Sequence, residues 1–386
     1  MWSFTLFDAN TVMSLFPLVV TSVLILLSFY VGHRLIPKSW PIWLRALMWL
    51  LVLSLAFSVP VSFLLRGSGS PWMLVANYAF GFYSLLLTFT ALREVFLVVL
   101  RIMPKKSVSD QRRAFLRDVS RVGALGATAA VFGYGAARAA ATPTLHRVDV
   151  VIEDLPAALD GVTIAQLSDV HVGQLVGERE YIQRIVETVN GAHADIIALT
   201  GDFVDGSLAR LREHFAPLGQ LKSKHGAFFV TGNHEYYSNA AEWVAYYKTL
   251  GWDVLDNEHR VLNINGESLV IAGVPDYKAS GNCLPAKAML NAPSNATCVL
   301  LAHNPSTILL TKGMGINLQL SGHAHAGQYF PGTWLVHLFN EYSQGLNRRG
   351  DDQIYVNSGT GYWGPALRTT DITGEITLIT LKSARA

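Results

Sequence analysis

Three apolar stretches in the first hundred positions constrain this chain more than any other feature: about Val12 to Gly32, Ile42 to Leu65 and Trp72 to Leu92. Each is close to the roughly 20 residues that a helix needs to cross a bilayer, where every backbone N–H and C=O must be satisfied inside the segment. A buried helix of a water-soluble domain rarely stays this apolar on every face. Trp2, Trp40, Trp43 and Trp72 fall at the expected ends, where indole rings favour the membrane interface.

Charge sets the expected orientation. Arg34, Lys38 and Arg45 lie between the first two stretches, only Arg66 between the second and third, and Arg93, Arg101, Lys105, Lys106, Arg112, Arg113, Arg117 and Arg121 after the third. Basic loops stay cytoplasmic. The N-terminus is therefore expected outside, and a fourth apolar stretch, from about Val122 to Ala141, would cross outward again. Everything after Thr142 would then lie outside the cytoplasm, on the outer face of the cytoplasmic membrane. A second reading of the fourth stretch stays open: Arg112-Arg113-Ala114-Phe115-Leu116-Arg117 ahead of a Gly/Ala-rich segment resembles a twin-arginine export signal. That segment ends in Ala139-Ala140-Ala141, which suits either retention as an anchor or cleavage.

Residues 1–140 hold 13 Lys/Arg and 4 Asp/Glu, leaving 17 basic and 24 acidic residues for the remainder. The excess positive charge belongs to the hydrophobic part, and the acidic remainder argues against a surface for nucleic-acid phosphates. The two cysteines, Cys283 and Cys298, fit one disulfide or two buried thiols equally and exclude a Cys-based metal site by count.

From about Leu145 short apolar runs alternate with amphipathic segments, the pattern of an α/β domain. Strands are expected at Val162–Leu167, Asp195–Thr200, Ala227–Thr231, Ser268–Val274, Thr297–Ala302, Ile316–Leu320, Gln353–Asn357 and Ile376–Leu381, and helices at Glu178–Asn190, Ala240–Leu250 and Pro305–Leu310. Polar chemistry follows the strands, where loops build sites on a rigid scaffold. Asp169 and His171 follow the first; Asp202 and Asp205 the second; Asn233, His234 and Glu235 the third. His303 follows the Thr297–Ala302 run, and His323 and His325 follow the next. Carboxylate, amide and imidazole together suit divalent Mn, Fe, Zn or Mg. Asp169, His171, Asp202, Asn233, His303, His323 and His325 make seven candidate ligands, too many for one ion and enough for two sharing a carboxylate.

The ordered set D-x-H, G-D-x-x-D, G-N-H-E, H and G-H-x-H resembles the calcineurin-like metallophosphoesterase family, over about residues 160–365. The runs Gly232-Asn233-His234-Glu235-Tyr236-Tyr237 and Ser321-Gly322-His323-Ala324-His325-Ala326-Gly327-Gln328 are similar to its branch of membrane-associated bacterial phosphohydrolases. The resemblance implies a four-layer α/β sandwich of two mixed sheets flanked by helices. It implies that Asp169, His171 and His325 hold one divalent ion, that Asn233, His303 and His323 hold the other, and that Asp202 bridges. His234 would face the phosphoester substrate, oriented by Asp205, and hydroxide activated by the two metals would attack.

The domains expected are three transmembrane helices over 1–104, a basic loop with the twin-arginine-like motif and fourth apolar segment over 105–144, and a metallophosphoesterase domain over 145–386. Phosphomonoesters and phosphodiesters both remain open as substrates, and tethering to a bilayer would suit a lipid-linked one. The competing expectation is a membrane sensor or scaffold that keeps the metal-binding fold without turnover. Glu235 reads as a carboxylate at a helix start, and Tyr236, Tyr237, Gln328, Tyr362, Trp363 and Arg368 as pocket lining or core. The other seven histidines, among them His33 and His259, read as surface or packing residues. The segment 356–365 departs from the related branch, which has a basic residue near the position of Ser358.

Overall fold

The computed structural model describes residues 9–65, 70–104, 109–174, 178–371 and 373–384; Trp2, Arg66, Lys105 and Lys106, used above for topology, lie outside them. Contacts divide the chain into two units, 1–136 and 137–386.

The first unit is helical: α1 (Ala9–Leu35), α2 (Ile42–Leu55), α3 (Ser58–Leu64), α4 (Pro71–Ile102) and α5 (Asp110–Ala140), whose last turn enters the second unit. The second apolar stretch, expected as one helix, breaks after Leu55. Pro60 has no N–H, and its ring clashes with the carbonyl four residues back, at Ala56. The chain turns at Ala56-Phe57 and resumes as α3. The Arg112–Arg117 run, expected in a loop, is helical: Ser109 Oγ caps it by accepting from Arg112 N at 3.3 Å. The Arg113 guanidinium donates to Met103 O at 2.9 Å, at the carbonyl end of α4.

One window among the described residues, Leu18–Leu35, is both long and apolar enough to cross a membrane; α2 is a shorter apolar helix. The unit is sorted inside out. Leu26, Ile42, Leu50 and Val95 point outward, whereas Ser28 is closed inside and meets the hydroxyl of Tyr83 at 2.7 Å.

The second unit holds β1 (Thr144–Ile152), β2 (Thr163–Leu167), α6 (Glu178–Gly191), β3 (Ile196–Leu199), α7 (Leu208–Phe215), β4 (Ala227–Phe229), α8 (Asn233–Tyr237), α9 (Ala240–Thr249) and β5 (Asp253–Val254). It continues through β6 (Glu258–Ile264), β7 (Glu267–Gly273), α10 (Pro285–Ala288), β8 (Thr297–Leu301), β9 (Leu318–Ser321), α11 (Gly332–Leu335), β10 (Gly345–Arg349), β11 (Asp352–Val356) and β12 (Glu375–Ser383). One sheet runs β1-β12-β2-β3-β4-β5 and the other β10-β11-β9-β8-β7-β6. Both are mixed: β12 runs antiparallel to β2, and β6 and β10 run antiparallel to β7 and β11, among otherwise parallel neighbours. The expected helix at Pro305–Leu310 is a 3₁₀ segment.

Strand alternation builds the layers. Leu269 and Ile271 of β7 point into a core shared with Ile164, Ile196 and Phe228 of the other sheet. Val270 and Ala272, one residue out of phase, pack under Ala288 of α10. On the opposite face α6 buries Tyr181, Ile182, Ile185, Val186 and Val189, one stripe at helical spacing. Glu178 and Glu180 sit in its first turn, where they favour the N-terminal amides. The result is the two-sheet, helix-flanked sandwich. Cys283 and Cys298 are both free thiols.

Candidate metal centre

The parallel strands β2, β3, β8 and β9 all deliver their C-terminal ends to one edge of the sandwich. Backbone bonds lock the loops together there: Asp169 N donates to Gly201 O at 2.9 Å, His171 N to Asp202 O at 3.1 Å and Gly322 N to His303 O at 3.0 Å. Gln166 ties the two sheets by donating to Ser321 O at 2.9 Å. Glycine is required where these loops meet. A Cβ on Gly322 would stand 2.1 Å from Asp169 Oδ2, and one on Gly232 would stand 2.2 Å from Asp202 Oδ1.

Six polar side chains converge at that edge in two adjoining groups, Asp169, His171 and His325 in one and Asp202, His303 and His323 in the other. In the first, His171 Nε2 lies 3.1 Å from His325 Nε2, and Asp169 Oδ1 lies 3.2 Å from His325 Nε2 and 3.9 Å from His171 Nε2. In the second, His303 Nε2 lies 3.1 Å from Asp202 Oδ2 and 3.2 Å from His323 Nδ1. Asn233 begins α8 beside it, and the next backbone N–H, that of His234, donates to Asp202 Oδ1 at 2.7 Å.

These groups fit divalent cations. His171 donates from Nδ1 to Asp205 at 2.8 Å and His303 donates from Nδ1 to Thr200 O at 2.8 Å, so each turns Nε2 inward, the atom an ion would take in place of a proton. Two ligand atoms about 2.0 to 2.2 Å from one ion stand roughly 3.0 to 3.5 Å apart, which is the spacing of most pairs here. Asn233 Oδ1 is buried without a partner, the kind of orphan that an ion satisfies.

The electrostatics agree. Burial would raise the carboxyl of Asp169, but His325, His303 and His171 hold it well below its ordinary range. Asp202 is likewise held down against burial, chiefly by His303 and His234. Burial lowers His325 to about 4 despite the nearby Asp169, keeping its imidazole neutral. His303 moves the other way, because Asp202 more than reverses the effect of burial.

Asp205, expected to orient His234, is buried and grips two rings, His171 at 2.8 Å and His234 at 2.5 Å. Glu235 does more than open a helix. Fully buried, it accepts the backbone N–H of Asp202, Phe203 and Gly232 at 2.9, 2.7 and 2.8 Å, binding the second loop to the third. Burial and the neighbouring Asp202 push it up to about 7, against those donors.

The residues considered as pocket lining divide. Tyr237 and Trp363 are exposed and set their rings edge-on to His234, at 5.3 and 5.9 Å between centroids. Gln328 instead braces Trp363, accepting its N–H at 2.9 Å and donating to its carbonyl at 3.1 Å. Tyr362 and Arg368 are buried. Arg368 donates to Ser358 O at 3.1 Å and Gly359 O at 2.8 Å, bracing that loop from ten residues further on. A separate cleft of 510 Å³ lies between Lys248, Trp252 and Arg260 and includes none of the two groups.

A family model described as calcineurin-like phosphoesterase matches residues 162–327. A Danio rerio protein described as "Transmembrane protein with metallophosphoesterase domain" is 32% identical over 392 aligned residues, covering 96% of this chain and 89% of its own length. A Helicobacter pylori metallophosphoesterase is 37% identical across 67% of this chain and 69% of its own. The Bacillus subtilis metallophosphoesterase YkuE is 31% identical across 70% of this chain and 98% of its own.

Proposed function

The chain belongs to the calcineurin-like phosphoesterase family and is a metal-dependent phosphoester hydrolase, and from that premise we propose that it works with two divalent ions on a phosphoester at the outer face of a membrane. The observation that carries the two-ion reading is the pair of groups converging behind β2 and β8. Asp169, His171 and His325 would hold one ion, Asn233, His303 and His323 the other, and Asp202 would serve both. Bound there, Mn, Fe, Zn or Mg would lower the pKa of the attacking water and neutralise the phosphoryl oxygens.

The remaining work falls to the chain itself. His234 stands beside Asp202, with Nε2 3.9 Å from its Oδ2, and Asp205 holds the opposite ring nitrogen. Two carboxylates favour the imidazolium, which can protonate the departing oxygen. Tyr237 and Trp363 flank that ring and limit the approach of water. Turnover of bis-p-nitrophenyl phosphate with added Mn²⁺ tests the reading. Wild type should hydrolyse it, and His234→Ala should lower kcat by about 10² to 10⁴ with both ions still bound. No turnover by folded, metal-loaded protein would favour the sensor or scaffold instead.

A lipid-linked substrate is favoured by a second observation. Residues 332–339, which begin seven positions after His325, expose Trp334 by 70%, Leu338 by 74% and Phe339 by 83%. Gly327 and Gly332 approach so closely that a Cβ on Gly327 would stand 2.2 Å from Gly332 O, which fastens this apolar segment to the His325 loop. The Leu18–Leu35 window and the name of the Danio rerio relative support a membrane setting for it. The basic residues at 34–45 and 93–121 support further spans and an extracytoplasmic domain. Phe339→Ser should raise KM for a phosphoester carried in micelles and leave KM for the soluble probe unchanged.

A further inference from the structure

β7 runs parallel to β8 and ends at the metal edge, yet no ligand named above comes from it. Gly273 of β7 pairs in parallel with Leu301 of β8, and Val274 N donates to Leu301 O at 3.2 Å. Val274 and Pro275 therefore leave the sheet alongside Ala302 and His303, and Asp276 follows one residue on. Asp276 is 1% exposed. Its Oδ1 accepts the backbone N–H of Lys278 at 2.9 Å and of Ala279 at 2.7 Å, and its carbonyl accepts from Ser280 Oγ at 2.6 Å. Its Oδ2 is buried and has no hydrogen-bond partner among the described residues.

The turn accounts for one oxygen only. An asparagine would hold Lys278 and Ala279 equally well, since its carbonyl oxygen is an accepted cap for such turns. What the turn leaves unexplained is the negative charge and the second oxygen, and a buried carboxylate without a partner is costly. No ion pair offsets Asp276 among the described residues. Its field reaches His303 and His323, and also Tyr236 on α8, three residues after Asn233, and Cys283. Asp276 thus lies on the His303–His323 side of the site.

We propose that Asp276 is a positioning residue for the second cation, a fixed negative charge behind the His303–His323 side whose Oδ2 accepts a hydrogen bond from a donor that the ion brings in. The inference rests on the two-ion reading above. A carboxylate outside the ligand shell sets the affinity of the ion it faces, and its loss typically weakens binding about 10-fold to 100-fold.

The test is Mn²⁺ titration of the full chain in detergent after chelation, followed by calorimetry. Wild type binding two ions, with Asp276→Asn weakening one site about 10-fold to 100-fold and leaving the other unchanged, supports the proposal. The melting temperature of metal-free Asp276→Asn should not fall, because the turn keeps its acceptor. Asp276→Ala should show the same loss of affinity and a lower melting temperature. Two wild-type affinities in Asp276→Asn overturn the proposal, as does an affinity loss confined to Asp276→Ala, which would assign the residue to the turn. Wild type binding fewer than two ions would sink the two-ion reading itself, before the variants are compared.

Discussion

Leu26, Ile42 and Val95 of the N-terminal unit turn 69%, 74% and 63% of their surfaces outward, while Ile196, Leu199 and Leu301 of the C-terminal unit expose none. Polar groups are sorted the opposite way: Ser28, Thr90 and Thr128 are closed inside the helical unit, where Tyr83 spans from Ser28 to the carbonyl of Leu24. We read the difference as two halves suited to different solvents. In water, burying apolar area is worth about 25 cal/mol per Å² and drives the sandwich together. In hydrocarbon that drive vanishes, and contacts such as Ser28 with Tyr83 must hold helices by packing and hydrogen bonds.

The largest effect would come from separating the halves. Removing residues 1–136 should take the protein from wholly membrane-sedimenting to wholly soluble without detergent, with turnover of a soluble phosphoester retained. A fragment that still pelleted with vesicles would break the contrast and make the 332–339 segment an anchor in its own right. Next comes a probe of the medium around α1. Leu26→Arg should cost about 3 kcal/mol at the centre of a span and appear as lost membrane integration; at a water-facing site the same change stays within about 0.5 kcal/mol. In the C-terminal unit, Glu235→Ala would strand three buried N–H groups and should cost about 2 kcal/mol or more, read as a shifted denaturant midpoint. The smallest effect is a pH dependence. Burial pushes the Cys298 thiol up to about 12, so the unfolded chain ionises first. The folded state keeps its full stability below about pH 8.5 and loses about 1 kcal/mol by pH 9.5. Cys298→Ala should remove that loss from unfolding curves measured at the two pH values.

The sequence showed the strands of the C-terminal unit that alternate or run fully apolar, because burial writes itself into periodicity. It hid β1 and β6, whose exposed and half-buried residues blur the pattern, and β5, which is two residues long. Residues directly behind strands, from Asp169 to His325, were legible as a site because His stood with Asp or Asn behind successive strands and their order was intact. Glu235, Arg368 and Asp276 were not. Their importance lies in backbone groups and neighbours dozens of residues away, and no local spacing records that. The break at Ala56 was available from Pro60 alone and was outweighed by hydropathy.

Asp169, His171, Asp202, His323 and His325 share one further property: each has a positive φ, from 50° to 71°. That region costs an L-residue other than glycine roughly 1 to 2 kcal/mol, so five such positions hold on the order of 5 kcal/mol at one edge of the sandwich. A lineage that stopped binding ions would gain stability from almost any drift toward glycine or asparagine there, and would erode first at the positions that matter most. Each of these five positions is therefore held against its own backbone preference.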